Sequence, residues 1–370
     1  MKTLLKLILA FLILVSFLLQ SCSQPQEPNL KAEFDNLPIA ELELTSEFDQ
    51  SGEYFFQFIN HRNTISLDNG DIILADRQGS FLIRINEQGD FVSQLSREGR
   101  GPGEVLDPIS IEKTGDSIWI YDQERKRIIR KTLDGSNVNE FMPPNFNSFQ
   151  VTGINPIEDK VIHLTLSDLS FIMNPEKEPA NRLVAYQTST ENVISSFDYP
   201  SDTWVSFQID GQPAGGAALV PYTPKFLQDL STSGLEFYAF WPEDSNIYVL
   251  NPITFDTLRN IPINLPSEQI SSAEIDSLQQ NFREDMWPQV MDVLPDTKSP
   301  ADKMIVDPQN RIWLKLSLQS DYQEWIVLDQ TGSPEFRVQF PKEGIVTHVS
   351  DAHIGFRADD HLFALYKLTE

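Results

Sequence analysis

A pattern of residues repeats at an interval of 46 in the first part of the chain. The segments NGDIILADRQGSFLIRINEQGDF (69–91) and TGDSIWIYDQERKRIIRKTLDGSNVNEF (114–141) align at this offset. The matching pairs are Asp76 with Asp122, Ile83 with Ile129, Arg84 with Arg130, and Gly89 with Gly135. Each unit consists of β-rich runs separated by an Asp-containing turn and a Gly turn, which is typical of meandering antiparallel strands. The repeat therefore constrains the chain to a series of similar small sheets.

The same unit recurs more loosely in the rest of the chain, at 159–174 with 181–197, 235–261, 310–340 and 353–368. Repeated four-stranded units of about 40 to 50 residues are typical of a β-propeller, whose sheets are arranged radially around a channel. Division of the domain by the repeat interval gives about seven units, but the central units contain insertions. We therefore predict an all-β fold, a six-bladed β-propeller over residues 38–370.

The two ends of this domain indicate how the ring closes. The last unit, 353–368, is too short for four strands, whereas IAELELTS (39–46) alternates like a strand and has no unit of its own. An open ring would expose sheet edges. We therefore predict that the N-terminal strand completes the last blade.

One segment, SEQISSAEIDSLQQNFREDMWPQV (267–290), has a helical pattern instead. Ser271 and Glu274 have the spacing of a capping box, and Ile275, Leu278 and Phe282 share one face. Pro288 is expected to end the helix. We predict one inserted amphipathic helix whose apolar face packs on the propeller, with a partner-binding helix as the alternative.

The N-terminus has the pattern of an export signal. Lys2 and Lys6 precede an apolar run from Leu7 to Leu19, which is short for a membrane span. The run is followed by Gln20-Ser21-Cys22 and resembles a bacterial lipobox, although Gln20 departs from the usual small residue. This resemblance implies a signal peptide over 1–21 and lipidation of Cys22, the only cysteine of the chain. A plain secretory signal and a retained membrane helix are the alternatives.

The residues after the signal define a tether and an acidic domain. Residues 22–37 are polar and contain two prolines, which indicates a lipidated tether. Loss of Lys2 and Lys6 with the signal leaves a net charge of about −28. Because phosphate contacts require a basic surface, we expect no nucleic-acid partner. Attachment to the membrane is expected through the lipid alone, in the cell envelope and at the outer membrane.

The glycine-rich stretch REGRGPGE (97–104) has two interpretations, a phosphate-binding loop or a turn between blades. A phosphate loop of the P-loop type ends in Lys followed by Ser or Thr and precedes a helix, whereas a glutamate and then a strand follow here. The spacing does not fit the dinucleotide fingerprint either. Glycine permits positive φ and proline restricts the chain, as a sharp link requires. We predict a structural interblade turn formed by Gly99, Gly101, Pro102, Gly103 and Glu104, with the glutamate accepting backbone N–H groups.

From this turn onward the chain resembles NHL-type repeats. The resemblance rests on the G-x-G-P-G-E run, Pro108, the segment Ile118 to Asp122, and Arg127-Ile128. More closely, the chain resembles the six-bladed β-propeller lipoproteins of Bacteroidota-like bacteria. The likeness covers most of the mature chain and is sharpest over 65–141 and 303–341. It implies the propeller and the lipid anchor, but no particular activity, because the family has no agreed one.

Residues with catalytic or metal-binding chemistry are scattered. The five histidines form no HExxH motif, and no G-x-S-x-G elbow is present. Acid pairs occur at Glu243-Asp244 and Asp359-Asp360, as an acidic domain would contain by chance. We predict no cofactor; calcium near the propeller axis, as in sugar-lactonase-like propellers, remains an alternative.

Aromatic residues are concentrated between 204 and 241, around the Gly- and Pro-containing segment 211–224. Trp204, Tyr222 and Trp241 are the candidates for a ligand-binding mouth on one face, against simple loop packing. The sequence therefore favours a lipid-anchored, non-catalytic module that binds or scaffolds an envelope protein or a glycan. A metal-dependent propeller lactonase or lyase with its site over the central channel is the alternative.

Overall fold

The computed structural model describes residues 30–49, 59–60, 62–158, 160–174, 177–209 and 212–369, most of which lie in strands. Cys22, the signal peptide and the first half of the tether lie outside these residues. The chain divides into two units, up to Asn36 and from Leu37 onward. In the first, the helix-favouring segment LKAEFD forms α1 (Leu30–Asp35). The described part of the predicted tether is therefore helical.

The second unit begins with β1 (Ile39–Asp49), and the two clearest repeats follow as blades 1 and 2. Blade 1 consists of β2 (Thr64–Ser66), β3 (Ile72–Asp76), β4 (Phe81–Ile85) and β5 (Phe91–Ser96). Blade 2 consists of β6 (Pro108–Thr114), β7 (Ser117–Asp122), β8 (Arg127–Thr132) and β9 (Asn137–Phe141). Asp76 and Asp122 end the second strands, and Gly89 and Gly135 adopt positive φ before the fourth. The 46-residue interval is therefore the length of one blade.

The repeat continues into blade 3, although its sequence is less regular. This blade consists of β10 (Phe149–Glu158), β11 (Val161–Asp168), β12 (Ala180–Gln187) and β13 (Asn192–Tyr199), with a short 3-10 helix (Ser170–Ile172) after β11. Asp168, which lies 46 residues after Asp122, again ends the second strand. The hairpin of β14 (Trp204–Ile209) and β15 (Gln212–Leu219) then forms a two-stranded sheet of its own.

The remaining blades complete the ring. Blade 4 consists of β16 (Leu227–Leu230), β17 (Phe237–Phe240), β18 (Asn246–Leu250) and β19 (Thr257–Pro262). Blade 5 consists of β20 (Ala301–Val306), β21 (Ile312–Leu316), β22 (Tyr322–Leu328) and β23 (Pro334–Pro341). Blade 6 consists of β24 (Ile345–Val349), β25 (Ile354–Arg357), β26 (Leu362–Thr369) and β1. Each blade is a four-stranded antiparallel meander, so the architecture is a six-bladed β-propeller.

Strand β1 closes the ring by pairing with two other strands. It runs antiparallel to β26, from Glu41 opposite Thr369 to Asp49 opposite Leu362. At its start, Ile39 and Ala40 pair in parallel with β23 of blade 5. The N-terminal strand therefore covers the outer edge of blade 6 and also joins that blade to blade 5.

The segment predicted as one helix over 267–290 contains two, α2 (Ser272–Asn281) and α3 (Trp287–Val293). The capping box is present: Ser271 Oγ accepts the Glu274 N–H, and the Glu274 carboxylate accepts the Ser271 N–H. The expectation that Pro288 ends the helix is wrong. It lies in the first turn of α3, where a missing N–H leaves no hydrogen bond unmade.

The insertions pack on each other. Phe282, Met286 and Val290 form a cluster with Val205 and Val220 from the hairpin region. Of the apolar face predicted for 267–290, Phe282 thus meets the other insertion, whereas Ile275 and Leu278 are not part of this cluster. No helix among the described residues has both the length and the apolarity needed to cross a membrane.

The apolar core lies between the faces of neighbouring blades. Ile73 and Leu82 of blade 1 pack with Ile111 and Ile120 of blade 2, and similar clusters follow around the ring. Where the ring closes, Phe48 of β1 packs with side chains of blade 1, so β1 contributes to the core as well as to the sheet edge. Burial of each such large side chain contributes about 1.5–3 kcal/mol.

Candidate binding site in the axial channel

The innermost strand of every blade contributes to an axial channel with a volume of about 610 Å³. These strands are β2, β6, β10, β16, β20 and β24, each with one edge facing the axis. The volume lies within the range of ordinary small-molecule sites, about 300–1,000 Å³. The channel is therefore large enough for an organic ligand.

Ionisable side chains reach this channel from several blades. Arg62 lies just before β2, Glu112 on β6, Asp229 on β16 and His348 on β24. Lys303, on β20, lies close enough to Asp229 and His348 to affect their pKa values. In a wall that also contains many aliphatic and hydroxyl side chains, these groups form a belt of ionisable residues, although Lys303 is not itself a lining residue. We call Arg62, Glu112, Asp229, Lys303 and His348 the channel belt.

Burial dominates the electrostatics of the two carboxyls in the channel belt. Desolvation, assisted by the charge of Asp229, raises the pKa of Glu112 well above its ordinary value, and Arg62 opposes this shift. Desolvation also raises the pKa of Asp229 to about 6, against the opposing effect of hydrogen bonds from the Val306 and Leu230 N–H groups. Both carboxyls therefore hold protons more tightly than they would in water.

The basic groups of the channel belt shift in the opposite direction, for the same reason. Desolvation lowers the pKa of Lys303 to about 7, and Lys315 adds to the shift. The pKa of His348 falls to about 3 through desolvation, with smaller effects of His353 and Lys303. The His348 ring is therefore neutral at neutral pH. Buried ionisable groups with shifted pKa values are concentrated at functional sites, although structural networks also contain them.

Some polar atoms of the channel wall have no hydrogen-bond partner in the described chain. These include Thr64 Oγ1, Gln228 Oε1 and His348 Nε2. Thr64 is only 5% exposed. A buried polar atom without a partner costs about 1–3 kcal/mol, so such atoms indicate a place where a ligand or water supplies the missing bond.

The glycine-rich stretch lies between β5 and β6, at the junction of blades 1 and 2. Gly103 has a φ of +72° and Gly99 one of +156°. The Glu104 carboxylate accepts the Gly101 N–H at 2.7 Å and pairs with Arg97 at 2.9 Å, while Ser96 Oγ donates to the Gly103 carbonyl. A carboxylate thus occupies the position that an anion would take in a phosphate loop.

The three aromatic candidates do not line the channel. Trp204, on β14, lies 6.0 Å from the Phe171 ring between centroids. Tyr222 has a φ of +63°, and the Lys298 ammonium lies 5.5 Å from its ring. Trp241, in the turn after β17, donates to a Glu243 carboxylate oxygen at 3.0 Å. The mouth predicted from the sequence is therefore separate from the channel, and the structure gives each aromatic a different neighbour.

The histidines and acids form no evident metal centre within the described ranges. There, no three side chains of the His, Cys, Asp and Glu types group as metal ligands would. His163 is buried beside Phe237, with Nε2 against the Pro252 carbonyl. His348 and His353 have ring centroids 5.3 Å apart, and His61 lies outside the described residues.

Sequence reasoning missed the channel belt because its members are far apart in the chain. Each belongs to, or directly precedes, an innermost strand. A charged residue within the apolar first strand of a repeat, such as Glu112 in PISIEKT, is the signal that was available. Alignment of the first strands of all units would have brought these residues together.

Six four-stranded blades around a polar channel define the class of the protein as a six-bladed β-propeller. Residues 58–196 match the family model DUF5128, described as a 6-bladed beta-propeller. The match covers blades 1 to 3, less than half of the chain. The comparison with curated proteins gave no match.

Solved structures support the same fold. A protein from Bacteroides fragilis described as exported has a TM-score of 0.50 and 14% identity, over 89% of this chain and 96% of that one. A DUF4221 family member from Bacteroides vulgatus has a TM-score of 0.52 and 11% identity, over 90% and 99%. A virginiamycin B lyase from Staphylococcus aureus matches at a TM-score of 0.45 and 11% identity, over 89% and 100%. The first two structures, whose TM-scores reach 0.5, support the fold, and at these identities the likeness concerns the fold alone.

Proposed function

We propose that this protein is a lipid-anchored propeller of the cell envelope that binds a ligand in its axial channel and releases it unchanged. The observation that carries the proposal is the channel itself. It has the volume of a small-molecule site, and polar atoms of its wall, such as Thr64 Oγ1 and Gln228 Oε1, lack partners in the described part of the chain. The ring holds these groups on strands, which position them more firmly than loops would.

Sequence supports the location in the envelope. The run from Leu7 to Cys22 resembles a signal peptide with a lipobox, and a structural relative from Bacteroides fragilis is described as exported. Substitution Cys22→Ala tests the anchor. The variant is expected to leave the membrane fraction and become soluble in the envelope. Retention of the variant in the membrane would show that attachment does not depend on a lipid at this residue.

The binding site is tested by closing the channel. Ile157 lines the channel and is only partly buried, so Ile157→Trp would fill part of the space with a larger side chain. Val138 lies on β9, half exposed, and Val138→Trp is the matched control. The soluble domain is incubated with an envelope extract, and bound small molecules, glycan fragments and peptides are identified by mass spectrometry.

The expected result is a compound retained by the wild type and by Val138→Trp but lost from Ile157→Trp. The compound should be recovered with its original mass, because binding without chemistry leaves it intact. Equal retention by both variants would place binding elsewhere, for example at the aromatic residues Trp204, Tyr222 and Trp241. Recovery of a cleaved or rearranged compound would instead make the protein an enzyme.

A further inference from the structure

The channel wall contains hydrogen-bond acceptors that lack donors. The Glu112 carboxyl is part of the channel wall, and its Oε1 accepts a hydrogen bond from the Asn155 amide at 2.9 Å. Gln228 Oε1, on β16 next to Asp229, has no donor among the residues that the structure describes. Thr64 Oγ1, almost fully buried in the wall, can also accept. A ligand that satisfies these atoms must itself supply N–H or O–H groups.

The cationic groups near the channel, in contrast, already have partners. Lys113 donates to Asp68 at 2.8 Å. Arg62 Nη1 donates to the Thr152 carbonyl at 2.8 Å, and Lys303 Nζ donates to the Val346 carbonyl. The cationic groups of the wall are thus committed to partners within the protein, while among the described residues Gln228 Oε1 accepts no hydrogen bond.

We infer that the axial channel binds a small organic cation, whose ammonium group is held by the carboxyls of Glu112 and Asp229. This inference rests on the proposed function and names the ligand class of the same site. Charge-assisted hydrogen bonds of this kind are about twice as strong as neutral ones. Gln228, which also lines the channel, provides a neutral amide next to Asp229.

The charge of the whole protein supports a cationic ligand. The chain has a net charge of −26, and Asp68 and Asp351 lie among the residues that line the channel. A cleft with one sign of charge raises the local concentration of oppositely charged ligands and their association rate. The channel volume of about 610 Å³ fits an organic molecule, and within the described ranges no set of three acidic or histidine ligands surrounds a metal position.

Three probes of equal length test whether binding depends on the sign of the ligand's charge or only on its apolar chain. Hexane-1,6-diamine is a dication, hexane-1,6-diol is neutral and hexanedioate is a dianion at neutral pH. Isothermal calorimetry with the soluble domain is expected to show binding of the diamine at least about tenfold tighter than either other probe. Tighter binding of the dioate or the diol, or no binding of any probe, would overturn the inference.

Calcium chloride is the fourth probe, because a divalent ion is the other source of positive charge. Diamine binding should persist in the presence of calcium. Calcium binding that excludes the diamine and depends on Glu112 would assign the site to a metal instead of an organic cation.

Matched variants locate the cation. Glu112→Gln removes the carboxylate with little change of shape and is expected to weaken diamine binding about tenfold. Glu124→Gln makes the same chemical change at an exposed position in the turn between β7 and β8, and should leave the affinity within about twofold. Equal weakening by both variants would mean that only net charge matters. Gln228→Met, which removes an acceptor without changing charge, is expected to weaken binding several-fold.

Ile157→Trp separates a failure of this inference from a failure of the proposed function. If the dioate binds and Ile157→Trp abolishes its binding, the channel is the site but its ligand is not a cation. If the diamine binds Ile157→Trp as well as the wild type, the site is not in the channel. Thermal unfolding of each variant before titration confirms that the domain is folded.

Discussion

Blades 1 to 3 and blades 4 to 6 have the same topology but differ in how their turns are held. In the first three blades the second strand ends in a buried aspartate, Asp76, Asp122 or Asp168, whose carboxylate accepts a backbone N–H. In the last three blades the second strand ends in Phe240, Leu316 or Arg357 instead. Asp76 and Asp168 accept an N–H of the turn that follows them, and Asp122 accepts the Asp107 N–H before β6. The regular half therefore has a buried aspartate at a position where the other half has none.

The links between blades differ in the same way. Residues 97–107 and 142–148 join the first three blades directly, whereas 200–226 contains the β14–β15 hairpin and 263–300 contains α2 and α3. The family model matches 58–196, which is the regular half. The propeller topology therefore does not require an aspartate at the end of the second strand. Because the packed faces hold neighbouring blades together, the links between them can contain additional elements, such as the β14–β15 hairpin and the helices α2 and α3.

The largest effect is expected from Asp122→Ala. Its carboxylate, which is fully buried, accepts the Asp107 N–H at 3.0 Å and lies 3.4 Å from Arg127 Nε. Removal of the carboxylate leaves the buried Arg127 guanidinium with fewer partners. The free energy of unfolding, measured with urea, is therefore expected to fall by about 3 kcal/mol. Asp116→Ala, at an exposed position nearby, is the control and should change little. A loss below about 1 kcal/mol for Asp122→Ala would contradict the role given to the aspartates.

A second contrast concerns pH, because two aspartates in the two halves have opposite pKa shifts. Burial raises the pKa of Asp229 to about 6, above its value in the unfolded chain, so the folded state binds the proton more tightly. Stability from this group is therefore lost as pH rises from about 4 to 6. For Asp168, burial alone would raise the pKa, but hydrogen bonds from Lys177, Ser170 and Ser148 lower it below its ordinary value. Its contribution is present above about pH 4 and is lost on acidification.

Asp229→Asn and Asp168→Asn should consequently change the pH profile of unfolding in opposite directions. Relative to the wild type, Asp229→Asn is expected to gain on the order of 2 kcal/mol between pH 4 and 7. The asparagine loses one of the two backbone hydrogen bonds of Asp229, which lowers the free energy of unfolding equally at every pH. The change of this free energy with pH is therefore the quantity to compare. Asp168→Asn should lose stability at pH 7, and this loss should shrink progressively as the pH falls below about 4. Lys303 faces Asp229 in both proteins, but Asp229→Asn also removes the charge that helps to raise the pKa of Glu112, so part of the change in slope comes from that neighbour. Parallel profiles for wild type and Asp229→Asn would contradict the expectation.

The link at 97–104 gives a smaller effect, which a double-mutant cycle sharpens. A Cβ on Gly99 would lie 2.0 Å from a Glu104 carboxylate oxygen. Gly99→Ala is therefore expected to cost about 1–3 kcal/mol in unfolding experiments, by displacing the carboxylate that accepts the Gly101 N–H. In a Glu104→Ala background the same substitution should cost clearly less, because the clash is removed. Additive losses would mean that the cost of Gly99→Ala comes from the backbone alone.

The fold was largely predictable because its strongest signals are local and periodic. The offset between Asp76 and Asp122 predicts the blade, and the unassigned strand 39–46 indicates ring closure, which β1 provides by pairing with β26. The end of the inserted helix was not predictable from Pro288 alone, because proline also starts helices. The channel belt was not predictable from spacing, since Glu112 and Asp229 approach each other only after six blades have closed.

The smallest effect is expected in the inserted helices, where a local contact holds a segment that the ring does not need. Ser271→Ala removes the hydroxyl that accepts the Glu274 N–H, although the Glu274 carboxylate keeps an ion pair with Lys298 at 2.6 Å. The expected cost is about 1 kcal/mol or less. Ser277→Ala, at an exposed position within α2, should be neutral or slightly stabilising because alanine favours helix interiors. Hydrogen exchange should show faster exchange in α2 for Ser271→Ala with no change in blades 1 to 3. Faster exchange in those blades would mean that the insertion stabilises the ring as a whole. The stabilities of the two halves of the propeller would then be coupled.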